Sequence, residues 1–182
     1  MNPQERKTQS IAELALLVSA TLVLSYLEAS MPLPVTVPGI KLGLANVCIL
    51  CALYLKGPRW AGGVTLFKAV AASAIVGAPS MIVYSLAGSS LALAGMIVLW
   101  RIGTFNLKAV SVAAALLHGA GQLAVAAFML QTPIVFVNAP VMIVASVVAG
   151  IVTGSVAEGT LRVFPASQRR TETAQPLRDA IR

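Results

Sequence analysis

Long apolar stretches alternate with short polar ones along this chain. Six apolar runs stand out: Ile11–Leu27, Ile40–Leu55, Trp60–Val76, Met81–Trp100, Ala109–Leu130 and Ile134–Ala157. None shows the period-two alternation of a membrane β-barrel, so each run predicts a helix. A bilayer-spanning helix needs roughly 17–25 residues, a length that most of the runs reach. The run Ile40–Leu55 is shorter, about 24 Å of helix at ~1.5 Å per residue. It therefore begins in a re-entrant loop, tilts little, or is shielded by its neighbours.

One connection breaks the pattern. The stretch EASMPLPVTVPGIKLGLAN, from Glu28 to Asn46, holds three prolines, an acid, a base and an amide. Irregular backbone is tolerated at membrane depth only where it lines water, ligand or protein. The segment Glu28–Lys41 is accordingly expected to form the lid or wall of a pocket.

Composition supports a lipid setting. The 182 residues are 58% hydrophobic and only 10% charged, with a mean hydropathy of +0.87. A soluble domain carries roughly a quarter charged residues. Eleven of the thirteen Lys and Arg fall on one side of the predicted bundle: Arg6, Lys7, Lys56, Arg59, Arg101, Lys108, Arg162, Arg169, Arg170, Arg178 and Arg182. Lys41 sits on the other side and Lys68 lies within a helix. By the positive-inside rule both termini are cytoplasmic. The net charge of +7 is then a topology signal, and no nucleic-acid partner is expected. The first apolar run is too long for the core of a cleaved signal peptide. The expected organisation is a cytoplasmic N-terminus over 1–9, a six-helix transmembrane domain over 10–160 and a basic, flexible cytoplasmic tail over 161–182.

A few polar side chains interrupt the runs. Lys68, in VTLFKAV, falls near the bilayer centre, where an ionisable group is costly and by default functional. His118, the single histidine, and Gln122 are four residues apart and share a helix face. Glu28, Lys41, Asn46, Tyr84 and Asn138 fall in the outer half of the predicted bundle. Together these residues predict an outward-facing pocket with a floor at Lys68 and His118. Lys41 and Lys68 against Glu28 alone make it net positive, which favours an anionic ligand. Cys48 and Cys51 form a CxxC one helical turn apart. With His118 as the one further candidate ligand they fall short of a zinc site, so core packing is expected. No metal or cofactor is expected elsewhere either. Small residues recur at four-residue spacing in Ser146, Gly150 and Gly154, and in Ala15 and Ser19. Such ladders pack helices closely, within the chain or against another membrane subunit.

These motifs resemble one prokaryotic family. The stretch E…PLP…PGIKLGLAN, the lysine of LFKAV, the G.P…YSLAG pattern over Gly77–Gly88 and H..GQL at His118–Leu123 are similar to the Gx transporter family, also called heptaprenyl diphosphate synthase component I. The likeness covers about Ile11–Gly159, although Gly119 and Ala120 stand where more polar residues are expected. The family in turn is similar to the S components of energy-coupling factor transporters. The resemblance implies an all-α bundle of six transmembrane helices and a site drawn from Glu28, Pro38, Gly39, Lys41, Asn46, Lys68, Tyr84, His118 and Gln122. The two family names imply different activities. Prenyl-chain elongation needs metal ions held by clustered carboxylates. Asp179 is the single aspartate, and the glutamates at 5, 13, 28, 158 and 172 are scattered. An autonomous synthase is therefore not expected, and the absence of a P-loop leaves no ATPase in the chain.

The expected function is a solute-binding membrane subunit, S-component-like, for uptake of a small anionic molecule across a prokaryotic cell membrane. Lys68 and Lys41 would anchor charge, and Asn46, Tyr84, His118, Gln122 and Asn138 would direct hydrogen bonds. Ala15 and Ser19 would dock an energy-coupling membrane subunit that works with ATPases. Two alternatives remain: a membrane accessory subunit of a heptaprenyl diphosphate synthase, and a proton-coupled permease using Lys68 or His118.

Overall fold

The computed structural model describes residues 3–30, 43–76 and 80–163. The segment from 31 to 42, which includes Pro38, Gly39 and Lys41, lies outside them, as do 77–79 and the tail from 164. Within the described residues the fold is helical, in the order the apolar runs predict: α1 (Pro3–Ser30), α2 (Asn46–Lys56), α3 (Pro58–Val76), α4 (Ser80–Ile102), α5 (Leu107–Leu130) and α6 (Ala139–Val163). A short 3-10 helix, Pro133–Asn138, leads into α6, so the sixth run is split where one helix was expected. Pro133 suits its first turn, having no N–H to leave unpaired, and Thr132 caps it by accepting from Ile134 N–H at 3.3 Å.

Four helical stretches are long and apolar enough to cross a membrane: Ile11–Glu28, Ile82–Ile102, Leu107–Leu130 and Pro133–Val163. Their outward faces are hydrocarbon. Val144, Val148, Val152 and Val156 on α6 and Ile11, Leu16 and Val23 on α1 are more than half exposed. A water-soluble surface rarely shows so continuous an apolar face.

Of the other two helices, the eleven-residue α2 is, at about 16 Å, too short to span ~30 Å of hydrocarbon. Its neighbours shield it. It touches each of the other five helices, and Asn46–Leu53 and Leu55 are all buried. A helix that is apolar all round belongs in a core. Ile49, Leu50 and Leu53 centre the main cluster, with Val64, Met96, Val110 and Leu161 around them. Cys48 and Cys51 are free thiols within that cluster, as expected. Gly57, at φ 95°, turns the chain directly into α3, with Pro58 as that helix's first residue.

The other connections follow local rules. Asn106 caps α5 by accepting from Ala109 N–H at 2.7 Å. The Ser146, Gly150 and Gly154 ladder packs inside the molecule. A Cβ on Gly150 would lie 2.5 Å from Val112 Cα, and one on Gly154 would lie 2.9 Å from Lys108 Cα. Beside them the Ser111 and Thr153 hydroxyls meet at 2.8 Å. The basic residues at the helix ends pair with the few acids nearby. Lys56 meets Glu13 at 2.5 Å, and Glu158 lies between Arg162 at 2.5 Å and Lys108 at 3.7 Å. These pairs bring the start of α5 to the end of α6 and the first half of α1 to the end of α2.

Candidate functional site

Polar side chains gather at the head of α2. Ala45, its N-cap, offers no side-chain acceptor; the first amides of α2, on Asn46, Val47 and Cys48, donate instead to the carbonyls of Gly43, Leu44 and Ala45. Glu28, near the end of α1 and 4% exposed, meets the turn that precedes them. Its Oε1 accepts from Gly43 N–H and from Leu44 N–H, the latter at 3.2 Å. Gly43 adopts φ +82°, a left-handed conformation that costs other residues strain. Thr21, Ser25 and Glu28 are spaced so that all three fall on the same side of α1, and all three are buried.

Lys68 lies midway along α3 and is 3% exposed. Its Nζ donates to Asn46 Oδ1 at 2.7 Å, and Asn46 is itself 5% exposed. Among the described residues the centre thus holds one carboxylate and one ammonium, separated by the Gly43–Asn46 turn.

His118 and Gln122 adjoin this turn. Gln122 Nε2 lies 3.1 Å from His118 Nε2. With the amide donating, Nε2 accepts and the proton of the neutral ring resides on Nδ1. Two glycines pin the imidazole: a Cβ on Gly43 would sit 2.9 Å from the ring, and so would a Cβ on Gly88 of α4. A third close approach, Gly121 against the Ala87 carbonyl, clamps α5 onto α4.

The structure therefore unites Glu28, Asn46, Lys68, His118 and Gln122. Tyr84 packs in a neighbouring apolar cluster with Leu123, Ala126, Val135 and Met142. Asn138 is buried at the end of the 3-10 helix and donates to Val135 O at 3.0 Å. Lys41 lies outside the described residues. Ala15 and Ser19 are exposed on α1. Gly43 and Gly88 are site residues that the sequence does not single out, although both stand inside the motifs. A glycine in a motif signals close approach without saying to what. On the other face of α5, a groove of about 250 Å³ runs between α5, the 3-10 helix and α6. Leu116, Leu123, Phe136, Met142 and Ile143 line it, with Ser146 among its few polar contributors.

A helical membrane protein with an enclosed polar centre is the class that fold and site define. The chain belongs to the heptaprenyl diphosphate synthase component I family, whose model matches residues 17–160. No curated protein and no solved structure gives a match.

Proposed function

We propose that this chain is the membrane-embedded, non-catalytic subunit of a prenyl diphosphate synthase, and that its polar centre binds the anionic head of a small phosphorylated ligand. The observation that carries the reading is the buried Lys68–Asn46 pair beside backbone amides at the head of α2. A compact oxyanion is the ligand class such donors suit. Family membership points to the diphosphate chemistry. The carboxylates needed to hold catalytic Mg²⁺ are not clustered anywhere in the sequence, so the chain-elongating chemistry falls to a soluble partner. Six helices within a prokaryotic cell membrane, with both termini cytoplasmic, would present the basic helix ends to that partner. Tag purification from native membranes tests the reading. A prenyl synthase in stoichiometric yield supports it, and its consistent absence refutes it.

A second reading is a solute-binding uptake subunit resembling S components of energy-coupling factor transporters. The exposed Ala15 and Ser19 on α1 favour it, because small residues let a second membrane subunit approach closely. Recovery of ATPases with a coupling membrane subunit in the same purification would select this reading. Uptake that follows an imposed pH gradient without ATPases would select a permease.

A further inference from the structure

The turn before α2 is shaped to hold an anion, and a side chain of the protein occupies it. Gly43 and Leu44 direct consecutive N–H groups at Glu28 Oε1. Consecutive amides in such a turn form an anion-binding concavity, and the dipole of the following helix adds positive potential. Behind this concavity stands Lys68, with its ammonium on Asn46 Oδ1. The other end of the same carboxamide has a different status. Asn46 Nδ2 is buried and has no hydrogen-bond partner among the described residues. It lies against Gly43: a Cβ there would be 2.7 Å from it. An unused, desolvated donor beside an anion-holding turn signals a further acceptor that a single carboxylate does not supply.

We infer that Glu28 is a displaceable internal anion. It satisfies the amides of Gly43 and Leu44 until an oxyanion head group, phosphate or diphosphate, takes its position. The incoming group then places additional oxygens on Asn46 Nδ2 and Lys68 Nζ. The inference rests on the proposed anion-binding role of the centre and assigns Glu28 the opposite part from a direct ligand contact. Two anions cannot share the same pair of N–H groups without strong repulsion, so ligand and carboxylate exclude each other. The released carboxylate has a donor nearby. Ser25 lies one turn back on the same side of α1, is buried, and its Oγ has no partner among the described residues.

The test is calorimetric titration of the full chain in detergent, at fixed ionic strength, with inorganic diphosphate and with farnesyl diphosphate. Glu28→Gln keeps the size of the side chain and removes the competing charge. It should bind at least about 10-fold more tightly than the wild type, and Lys68→Met at least about 10-fold more weakly, on the scale of one charge-assisted hydrogen bond. A gain with inorganic diphosphate identifies a free anion as sufficient; a gain confined to farnesyl diphosphate identifies a lipid-borne head. Either supports displacement. If Glu28→Gln binds equally or more weakly while Lys68→Met still loses affinity, displacement is wrong and the anion site stands. If wild type and Lys68→Met behave alike, the anion site fails and takes the inference with it. A measurement on wild type covers a Gln variant that does not fold. With ¹³C-carboxyl glutamate, saturating diphosphate should move one carboxylate infrared band, which Glu28→Asp identifies by deleting it. An unmoved band overturns the inference.

Discussion

Lys68 on α3 donates to the side-chain oxygen of Asn46 on α2 across 2.7 Å, with both residues buried. This bond joins a charge in the middle of one helix to the first residue of another. It also changes what removal of Lys68 should do. A cation considered in isolation at that depth would be a burden whose loss stabilises the empty protein. Considered with its partner, Lys68 is different: its loss strands the buried Asn46 Oδ1.

Lys68→Met should therefore destabilise the protein by about 1–3 kcal/mol, the cost of an unsatisfied buried polar group. Adding Glu28→Gln should recover part of that loss if the two buried charges sense each other across the Gly43–Asn46 turn. Thermal melts of the two single variants and the double variant give the coupling energy. Strict additivity would show that the charges do not sense each other.

Gly88→Ala should be costly. The new methyl would lie 2.9 Å from the His118 ring and from its carbonyl oxygen. Overpacking of this kind costs about 1–3 kcal/mol. Gly63→Ala is the control, since nothing lies within 4 Å of a Cβ there, and it should be neutral or gain up to about 1 kcal/mol from reduced chain entropy. Equal melting temperatures for the two variants would contradict the pinned imidazole.

At the α5–α6 contact, Gly150→Ala should lower stability more than Thr153→Val. The first places a Cβ 2.5 Å from the Val112 backbone. The second removes the one interhelical hydroxyl contact, worth about 0.6 kcal/mol on average between membrane helices, along with bonds to the Ala149 and Gly150 carbonyls of its own helix. Denaturation in mixed micelles ranks the two, and the reverse order would show that close packing contributes less here than the hydroxyl pair.

The α1 face carries a different prediction. Replacing Ala15 and Ser19 by leucine should leave folding and ligand affinity intact, because both positions are exposed. Recovery of a membrane partner, or uptake itself, should fall sharply if this face docks a second subunit. Unchanged partner yield and uptake would assign the face to lipid.

Topology can be read by cysteine labelling, since Cys48 and Cys51 are buried. Val137 is 77% exposed and lies beside buried Asn138, which makes it the better site. Val137→Cys should react from outside intact cells, and Phe105→Cys only after permeabilisation. The opposite result would invert the proposed orientation.

The sequence alone determined the helices, their order and their lipid setting. Hydrophobic runs of spanning length leave the backbone no other way to satisfy its hydrogen bonds, and that argument needs no neighbours. It also marked Lys68, His118 and Gln122, because polar groups are expensive in such runs and their presence demands a reason. The tertiary structure decided which of them meet. Glu28 and Gly43 are fifteen residues apart, and Asn46 and Lys68 are twenty-two apart. No helical periodicity links such positions; only the burial of α2 among five helices does. The same burial explains how an eleven-residue helix is accommodated, and why the Glu28 carboxylate reaches the amides of the turn that leads into it. Spacing encodes faces within one element, whereas contacts between elements depend on how all the faces are satisfied at once.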